Sequence, residues 1–505
     1  MSQKIKNIVI VGGGAAGWLT ALYLKKIFPN NNYIVVEDPN TPPIIAGESA
    51  AAILTSFYNF LEIDQTDWAI KTHALPKLGS KFIDWNGVGT NFVHGLISDQ
   101  YRANYDNKFL STFSSNREFI SCALAEDIKM ENIFYCSEMI KQDKLPIIQT
   151  SQNKFEALHL FMWHFNSREN ATYLKNLGQQ RGISVVEKKY VKSNIDELGN
   201  ILSITVDDTT NIVGDWFFDC SGFSRLLLQK TLGVKSIDYS NLFPARSVVA
   251  WWDSDTKLAN YTAVTAMKYG WAWRINLHNR TGNGYVFDPD HLTVDQAVEE
   301  IKNKFNTDIV PVANLNFTPS LVKEYWKNNV IAIGISSGFL EPLESNGLGQ
   351  VITQLILLEK FWNPDETNLL DQKLYNCEVT NQMKEIINFL LLHYKGHRRD
   401  TDFWKSHSYD SNRTNDYLKE KIEQWSEGML IDDNLTVYPF ESYATVTQGL
   451  NLINLDKLKK RLCARPNIFK NFYKSYYDTM LEKQKIIDQS LDLKTWYRLM
   501  FKNYR

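Results

Sequence analysis

The five cysteines of this 505-residue chain (Cys122, Cys136, Cys220, Cys377 and Cys463) include no CxxC pair and no metal-ligand spacing. The sequence therefore offers neither a disulfide framework nor a zinc site. A reducing, cytoplasmic setting without a bound metal is the expectation. No apolar run approaches the length that spans a bilayer, so no membrane association is expected. A strand-like "IVIV" lies close to the first residue, so no secretory leader is expected. Excess charge of one sign is lacking as well. The 55 basic and 57 acidic side chains give a formal charge of −2, which excludes a nucleic-acid binder that relies on bulk positive charge. Internal repeats, low-complexity tracts and long linkers are missing too. With 44% apolar and 22% charged residues, what remains is the balance of a globular protein, long enough for two substructures sharing a large core.

What is present begins with "IKNIVIVGGGAAGWLTALYLKK", which reads as strand, tight glycine turn and helix. Gly12, Gly14 and Gly17 satisfy GxGxxG, and the strand "YIVVED" delivers Glu37 about 20 residues further on. Glycines let the backbone approach a pyrophosphate, and the helix start, with Ala15 and Ala16, offers amides and a positive dipole end. An acid at Glu37 can bind a ribose hydroxyl. Two later segments return to the same architecture. "IVGDWFFDCSGFSRLLL" reads as a strand ending at Asp219 and a glycine turn. "NVIAIGISSGFLEPLESNGLGQVITQLILLEKF" reads as strand, glycine-punctuated loop and helix. A dinucleotide fold that returns late to a glycine turn makes a second contact with the same cofactor, as where FAD is completed in flavoproteins. Gly334, Gly338 and Leu340 are the candidates there.

Between these segments, residues 80 to 290 carry strand-like runs such as "KFIDW", "RSVVAWWD" and "WAWRINL", consistent with a sheet beside the cofactor domain. From about residue 352 the pattern turns helical and rich in aromatics. The expected fold is α/β: an FAD-binding Rossmann-like domain with a mixed sheet, joined to a mostly helical substrate-binding region. Residues 1–350 are assigned to the cofactor-binding module with its sheet and 351–505 to the helical part, the two interleaved.

Four segments in this order resemble the flavin-dependent halogenases, above all the tryptophan halogenase group: "GGGAAGW" at 12–18, "KLGSKFIDW" at 77–85, "WAWRI" at 271–275 and "SSGFLEPLES" at 336–345. Further likeness lies in "GESA" (Gly47, Glu48, Ser49), "WHFN", "DCSGF", "GNGYVF" and "FLLLHY", and the resemblance spans residues 5 to 405. It implies an enzyme that uses reduced FAD (FADH2), O2 and a halide ion (chloride, bromide or iodide) to halogenate an electron-rich aromatic ring. A separate flavin reductase would supply FADH2. A small aromatic molecule of indole or phenol type would be the substrate, and a homo-oligomeric state stays open.

The resemblance also implies roles for particular residues. Trp271 and Trp273, two apart on a strand and hence on one face, would form an aromatic wall that keeps the organic substrate from the flavin. Taken alone, two such tryptophans read as ordinary core residues. Lys77 matches the family's catalytic lysine, which takes up hypohalous acid by hydrogen bonding or as a haloamine; a buried ammonium has access to either form. Lys81 competes for the role, since on one continuous strand it would share a face with Lys77. Glu344 would stabilise the cationic ring intermediate or accept its proton. Ser345, Asn346 and Gly347 stand where the family holds halide through backbone amides. Asn346 replaces the family's usual Thr and Asn276 its usual Pro, so halide preference is not carried over. Phe92 and His94 in "NFVHGL" are candidate pocket residues. Two alternatives share these motifs: a flavin monooxygenase that hydroxylates its substrate, and a flavin-binding protein without catalysis.

Overall fold

Four consecutive residues of the first strand, Asn7–Val11, are buried, as a strand covered on both faces of a parallel sheet must be. The computed structural model describes residues 5–41, 47–96, 116–151, 154–207, 209–254, 257–430, 437–465 and 467–502. The chain divides into two compact units, each assembled from three stretches.

The first unit comprises Met1–Ala74, Phe165–Ser240 and Phe317–Met383. Its main sheet runs, from one edge, Ser184–Glu187, Asn32–Glu37, Asn7–Val11, Trp216–Asp219, Val330–Ala332 and Trp326–Lys327. All neighbours pair in parallel except the last two. The chain leaves the first strand to build one side of the sheet and later fills the other with Trp216–Asp219. The strand order thus reverses at Asn7–Val11, and in open sheets of this kind ligands bind outside the carboxyl ends at such a reversal.

Close packing fixes two of the motif glycines. A Cβ at Gly12 would lie 2.2 Å from the Cys220 carbonyl oxygen, and one at Gly17 would lie 1.9 Å from that of Gly12. Trp18, next along, is buried against Gly178, whose own Cβ would meet the indole at 2.7 Å. Asp219 has no exposed surface. Its carboxylate accepts hydrogen bonds from Ser221 N (3.1 Å), Ser221 Oγ (2.6 Å), Leu227 N (2.8 Å) and Leu228 N (2.9 Å).

The second unit comprises Leu75–His164, Asn241–Asn316 and Lys384–Arg505. Its seven-stranded sheet runs Pro311–Asn316, Ser247–Asp253, Thr281–Phe287, Gly270–Asn276, Thr262–Met267, Gly79–Ile83 and Asn91–Gly95. Only the contact of Thr262–Met267 with Gly79–Ile83 is parallel. Ala272 and Tyr285 of this sheet join Ala297 and Ile301 of helix Val294–Phe305 in one buried cluster. By the period of two, Trp271 and Trp273 point to the opposite face. Helices dominate the rest of the unit, among them Asp402–Tyr409, Phe440–Gly449 and Ile468–Gln489. Among the described residues, no helix is long and apolar enough to cross a membrane. The mixed α/β fold expected from the sequence is the one observed.

His407, fully buried in helix Asp402–Tyr409, sits 4.4 Å from the Phe403 ring and 4.8 Å from that of Tyr394. Burial, helped by the charges of Arg413 and Lys395, pushes its imidazole down to about 3. A histidine whose folded pKa lies below its unfolded value contributes fully above the unfolded value and loses that contribution as pH falls. Starting from an unfolded value of about 6.5, lowering the pH from 7 to 5 removes about 2 kcal/mol through His407. The thermal midpoint is expected to drop over that range and to drop less in His407→Gln; equal slopes would contradict this. Asp219→Ala leaves two buried amides of the following turn without their acceptor and is expected to cost about 3 kcal/mol. A variant that melts with the parent protein would contradict that assignment.

Candidate active site

At the carboxyl edge of the first unit's sheet lie the glycine turn, Glu37 and Gly334 from among the predicted cofactor residues. Gly14, the N-cap of helix Ala15–Ile27, is extended (φ −75°, ψ −178°), the helix start has no side-chain cap, and no acid lies in its first turn. The first amides and the dipole are therefore available to an anion. A Cβ at Gly14 would have nothing within 4 Å: Gly12 and Gly17 are required by packing, whereas Gly14 leaves open space where a pyrophosphate needs it. Gly334 (φ +72°) approaches the same turn, its Cβ position lying 3.3 Å from Ala16 Cβ. Glu37 ends the neighbouring strand and accepts from Lys175, a partner that nothing in the sequence of helix Ser167–Gln180 announces. Gly47 (φ +104°) also borders open space, and Glu48 and Ser49 are buried, the Glu48 carbonyl accepting from Phe165 N at 2.9 Å. This donor set and these gaps fit a dinucleotide such as FAD.

The loop from Gly334 to Gly347 is knitted to the helix that follows it. Gly334 N donates to Gln354 Oε1 (2.9 Å), and Ser337 Oγ receives bonds from Gln354 Nε2 (3.0 Å) and Gln350 Nε2 (2.9 Å). Ser336 Oγ donates to the Asp219 carbonyl. Neither glutamine is assigned from the sequence, although two amides four apart in the mostly apolar "GQVITQLILL" are the kind of polar pair that would reveal them. Gly338 serves packing, since its Cβ would lie 2.4 Å from the Leu321 side chain, and Leu340 is buried. Glu344 (φ 62°) and Ser345 (φ 57°) both adopt left-handed backbone, at a cost of about 1–2 kcal/mol each. They aim the chain into helix Asn346–Phe361, which has no side-chain cap and no acid in its first turn. Asn346 Nδ2 donates back to the Leu343 carbonyl (3.1 Å), and a Cβ at Gly347 would meet open space.

In the second unit Lys77 is only 2% exposed. It ends strand Leu75–Lys77, which pairs antiparallel with Met162–His164 so that Lys77 faces Met162 and Leu75 faces His164. The chain then changes sheets, Leu78 N donating to the Asn260 carbonyl (2.7 Å) before Gly79–Ile83 joins the seven-stranded sheet. Lys81 consequently lies on a different sheet, partly exposed, with Nζ 5.9 Å from the centre of the Tyr261 ring. His164, from the quoted "WHFN" but given no role by the sequence, is fully buried with Nε2 2.7 Å from Thr262 Oγ1. Burial first and the charge of Lys77 second hold its imidazole well below the usual histidine range, so it stays neutral beside the ammonium.

Trp271 and Trp273 are 2% and 8% exposed, with ring centres 6.0 Å apart. Gly284 faces Trp273 across the sheet, and a Cβ there would lie 2.1 Å from the indole. The glycine in "GNGYVF" makes room for the ring. Trp85 lies 6.4 Å from Trp271 and 5.3 Å from Phe82, which stacks on Phe92 at 4.9 Å. His94 shares this aromatic cluster through Phe389 (5.6 Å), which lies 4.9 Å from His393. Its Nε2 is 3.0 Å from Ser442 Oγ. The structure thus joins Trp271, Phe92 and His94 in one cluster and gives Lys77 its own strand pair. The helix of "ESYATVTQGL" is buried from Phe440 to Thr447, so its aromatics pack the unit's interior.

The chain matches the family model described as tryptophan halogenase over residues 7–463. It is 30% identical over 452 residues to the 7-chloro-L-tryptophan 6-halogenase KtzR of Kutzneria sp. (strain 744), covering 86% of this chain and 87% of that protein. It is 29% identical over 474 residues to the tryptophan 6-halogenase SttH of Streptomyces toxytricini, covering 89% and 90%. The crystal structure of SttH superposes with a TM-score of 0.86 at 26% identity, over 98% of this chain and 100% of that one. Tar14, described as a tryptophan C-6 flavin-dependent halogenase (chlorinase) from taromycin biosynthesis, gives 0.85 at 25% identity, over 98% and 99%. Glycine turn, sheet reversal and family match agree: the chain belongs to the tryptophan halogenase family and is a flavin-dependent halogenase.

Proposed function

We propose that the protein uses FADH2 and O2 to oxidise halide to hypohalous acid and places the electrophilic halogen on an electron-rich ring of the indole or phenol class. The observation that carries this reading is the burial of Lys77 at the end of strand Leu75–Lys77, since taking a lysine out of water is costly. When bound, reduced FAD supplies, with O2, the two-electron oxidation of the halide.

Every other part is assigned to the chain's own residues. The amides around Gly14, Ala15 and Ala16 hold the pyrophosphate, Glu37 the ribose, and the Gly47–Ser49 segment and the Gly334–Leu340 loop border the cofactor. Amides at Ser345, Asn346 and Gly347, at the start of a helix without an acid in its first turn, hold the halide. Trp271 and Trp273 bar the organic substrate from the flavin, so the oxidised halide is what reaches it. Lys77 presents hypohalous acid, as hydrogen-bond donor or as haloamine, to the ring carbon. The ring's C–H bond is replaced by C–halogen, and Glu344 takes the ring proton and passes it to the group the halogen leaves behind, hydroxide from hypohalous acid or the amine of the haloamine. His94 and Phe92 line the aromatic side of the pocket. The relatives named above act on tryptophan or chlorotryptophan, which favours an indole. A separate reductase provides FADH2.

The test is an aerobic reaction containing FAD, a flavin reductase, NADH, bromide and a panel of indoles and phenols, read by mass spectrometry. A product with paired bromine isotope peaks is expected. Lys77→Ala should lower its yield by about 10²–10⁴-fold, and Glu344→Gln by about 10²-fold, with FAD still bound. A hydroxylated product without halogen would move the protein to the monooxygenases. Because Asn346 alters the halide-holding turn and larger halides are easier to oxidise, bromide or iodide should turn over at least as fast as chloride at equal concentration. A clear chloride preference would contradict that ordering.

A further inference from the structure

In the parallel pair formed by Ser184–Glu187 and Asn32–Glu37, Glu187 stands directly opposite Glu37. Like charges facing each other on neighbouring strands repel, and these two end their strands at the edge where the glycine turn lies. Lys175, projecting from helix Ser167–Gln180, donates to Oε1 of both carboxylates. The other oxygen of Glu37, Oε2, lies over the glycine turn: a Cβ at Gly13 would fall 1.7 Å from it. Gly13, which GxGxxG leaves free to be any residue, is therefore required by the carboxylate of Glu37. The three groups are also graded in exposure, with side chains 16% exposed for Glu37, 24% for Lys175 and 55% for Glu187. The inner half is thus shielded from salt more than an ordinary surface bridge.

We propose that Lys175 is a cofactor-positioning residue: its ammonium, shared between Glu37 and Glu187, holds one oxygen of Glu37 and thereby turns the other onto the glycine turn where the cofactor's ribose binds. The inference rests on the reading that FAD lies at this turn. Without the ammonium, two carboxylates face each other across adjacent strands, and Glu37 swings away from the position in which it accepts a ribose hydroxyl. Lys175 touches neither substrate nor reacting atoms. Its effect belongs to affinity for the cofactor.

The experiment measures FAD binding to the apo-protein by equilibrium dialysis, alongside the thermal midpoint without FAD. Lys175→Met is expected to weaken FAD binding about tenfold with little change in midpoint. Lys175→Gln, which keeps a donor but no charge, should lose as much, and Lys175→Arg should keep most of the affinity. Adding Glu187→Gln to Lys175→Met removes the opposing charge and should recover binding, a rescue that general destabilisation would not give. FAD binding by Lys175→Met and Lys175→Gln equal to the parent's, or no recovery in the double variant, would overturn the proposal. Gly14→Val separates it from the reading beneath it. Its side chain enters open space, so the variant folds and blocks only the approach of a pyrophosphate. FAD binding that survives Gly14→Val means the turn is not the cofactor site, and both fall. Binding lost in Gly14→Val but unchanged in the Lys175 variants removes the lysine's role alone.

Discussion

One residue with no exposed surface, Asp219, stands where three segments of the first unit that lie far apart in the chain meet. Asp219 gathers the amides of Leu227 and Leu228 and both donors of Ser221, so the turn after its strand cannot open without exposing buried donors. Its carbonyl accepts Ile333 N at 3.0 Å and Ser336 Oγ, which anchors the loop leading to Glu344. The next carbonyl, that of Cys220, presses against Gly12. Glycine turn, central strand and late loop are thus registered to one another around a single residue, and the proposed cofactor contacts depend on that registration.

Much of this was legible in the sequence because the dinucleotide motif is a packing motif as well as a binding one. Glycine was demanded at 12 and 17 by carbonyl oxygens and at 14 by the gap left for a ligand, and spacing alone finds all three. The same logic failed for Gly13, whose requirement comes from a side chain on another strand, and for Lys175, since a lysine on a polar helix reads like any solvated one. Gln350 and Gln354 lay between these extremes: polar residues inside an apolar helix are visible, but which loop they satisfy is a tertiary fact.

In the second unit the lysine question turned on a feature that periodicity does not reveal. Lys77 and Lys81 would share a face on one uninterrupted strand, yet the chain changes sheets at Leu78, which buries Lys77 and leaves Lys81 partly in solvent. The paired tryptophans were placed by their period of two, and the alternation separated them from Ala272, which faces helix Val294–Phe305. What the sequence did not supply was the neighbour that makes the Trp273 ring fit, Gly284 on the adjoining strand. The aromatics of the C-terminal third could be counted but not assigned, because at helical spacing an interior ring and a pocket ring look alike.

The left-handed backbone at Glu344 and Ser345 sets side-chain chemistry against main-chain preference. Glycine or asparagine would adopt those angles more readily than glutamate, so replacing Glu344 by either would relax the loop while deleting its carboxylate. A programme that ranked variants of this enzyme by heat resistance alone would favour such exchanges and would drift toward a sturdier protein without that acid. Breeding for robustness here has to be checked against product formation at every round, because at this position a relaxed backbone and the proposed proton acceptor pull in opposite directions.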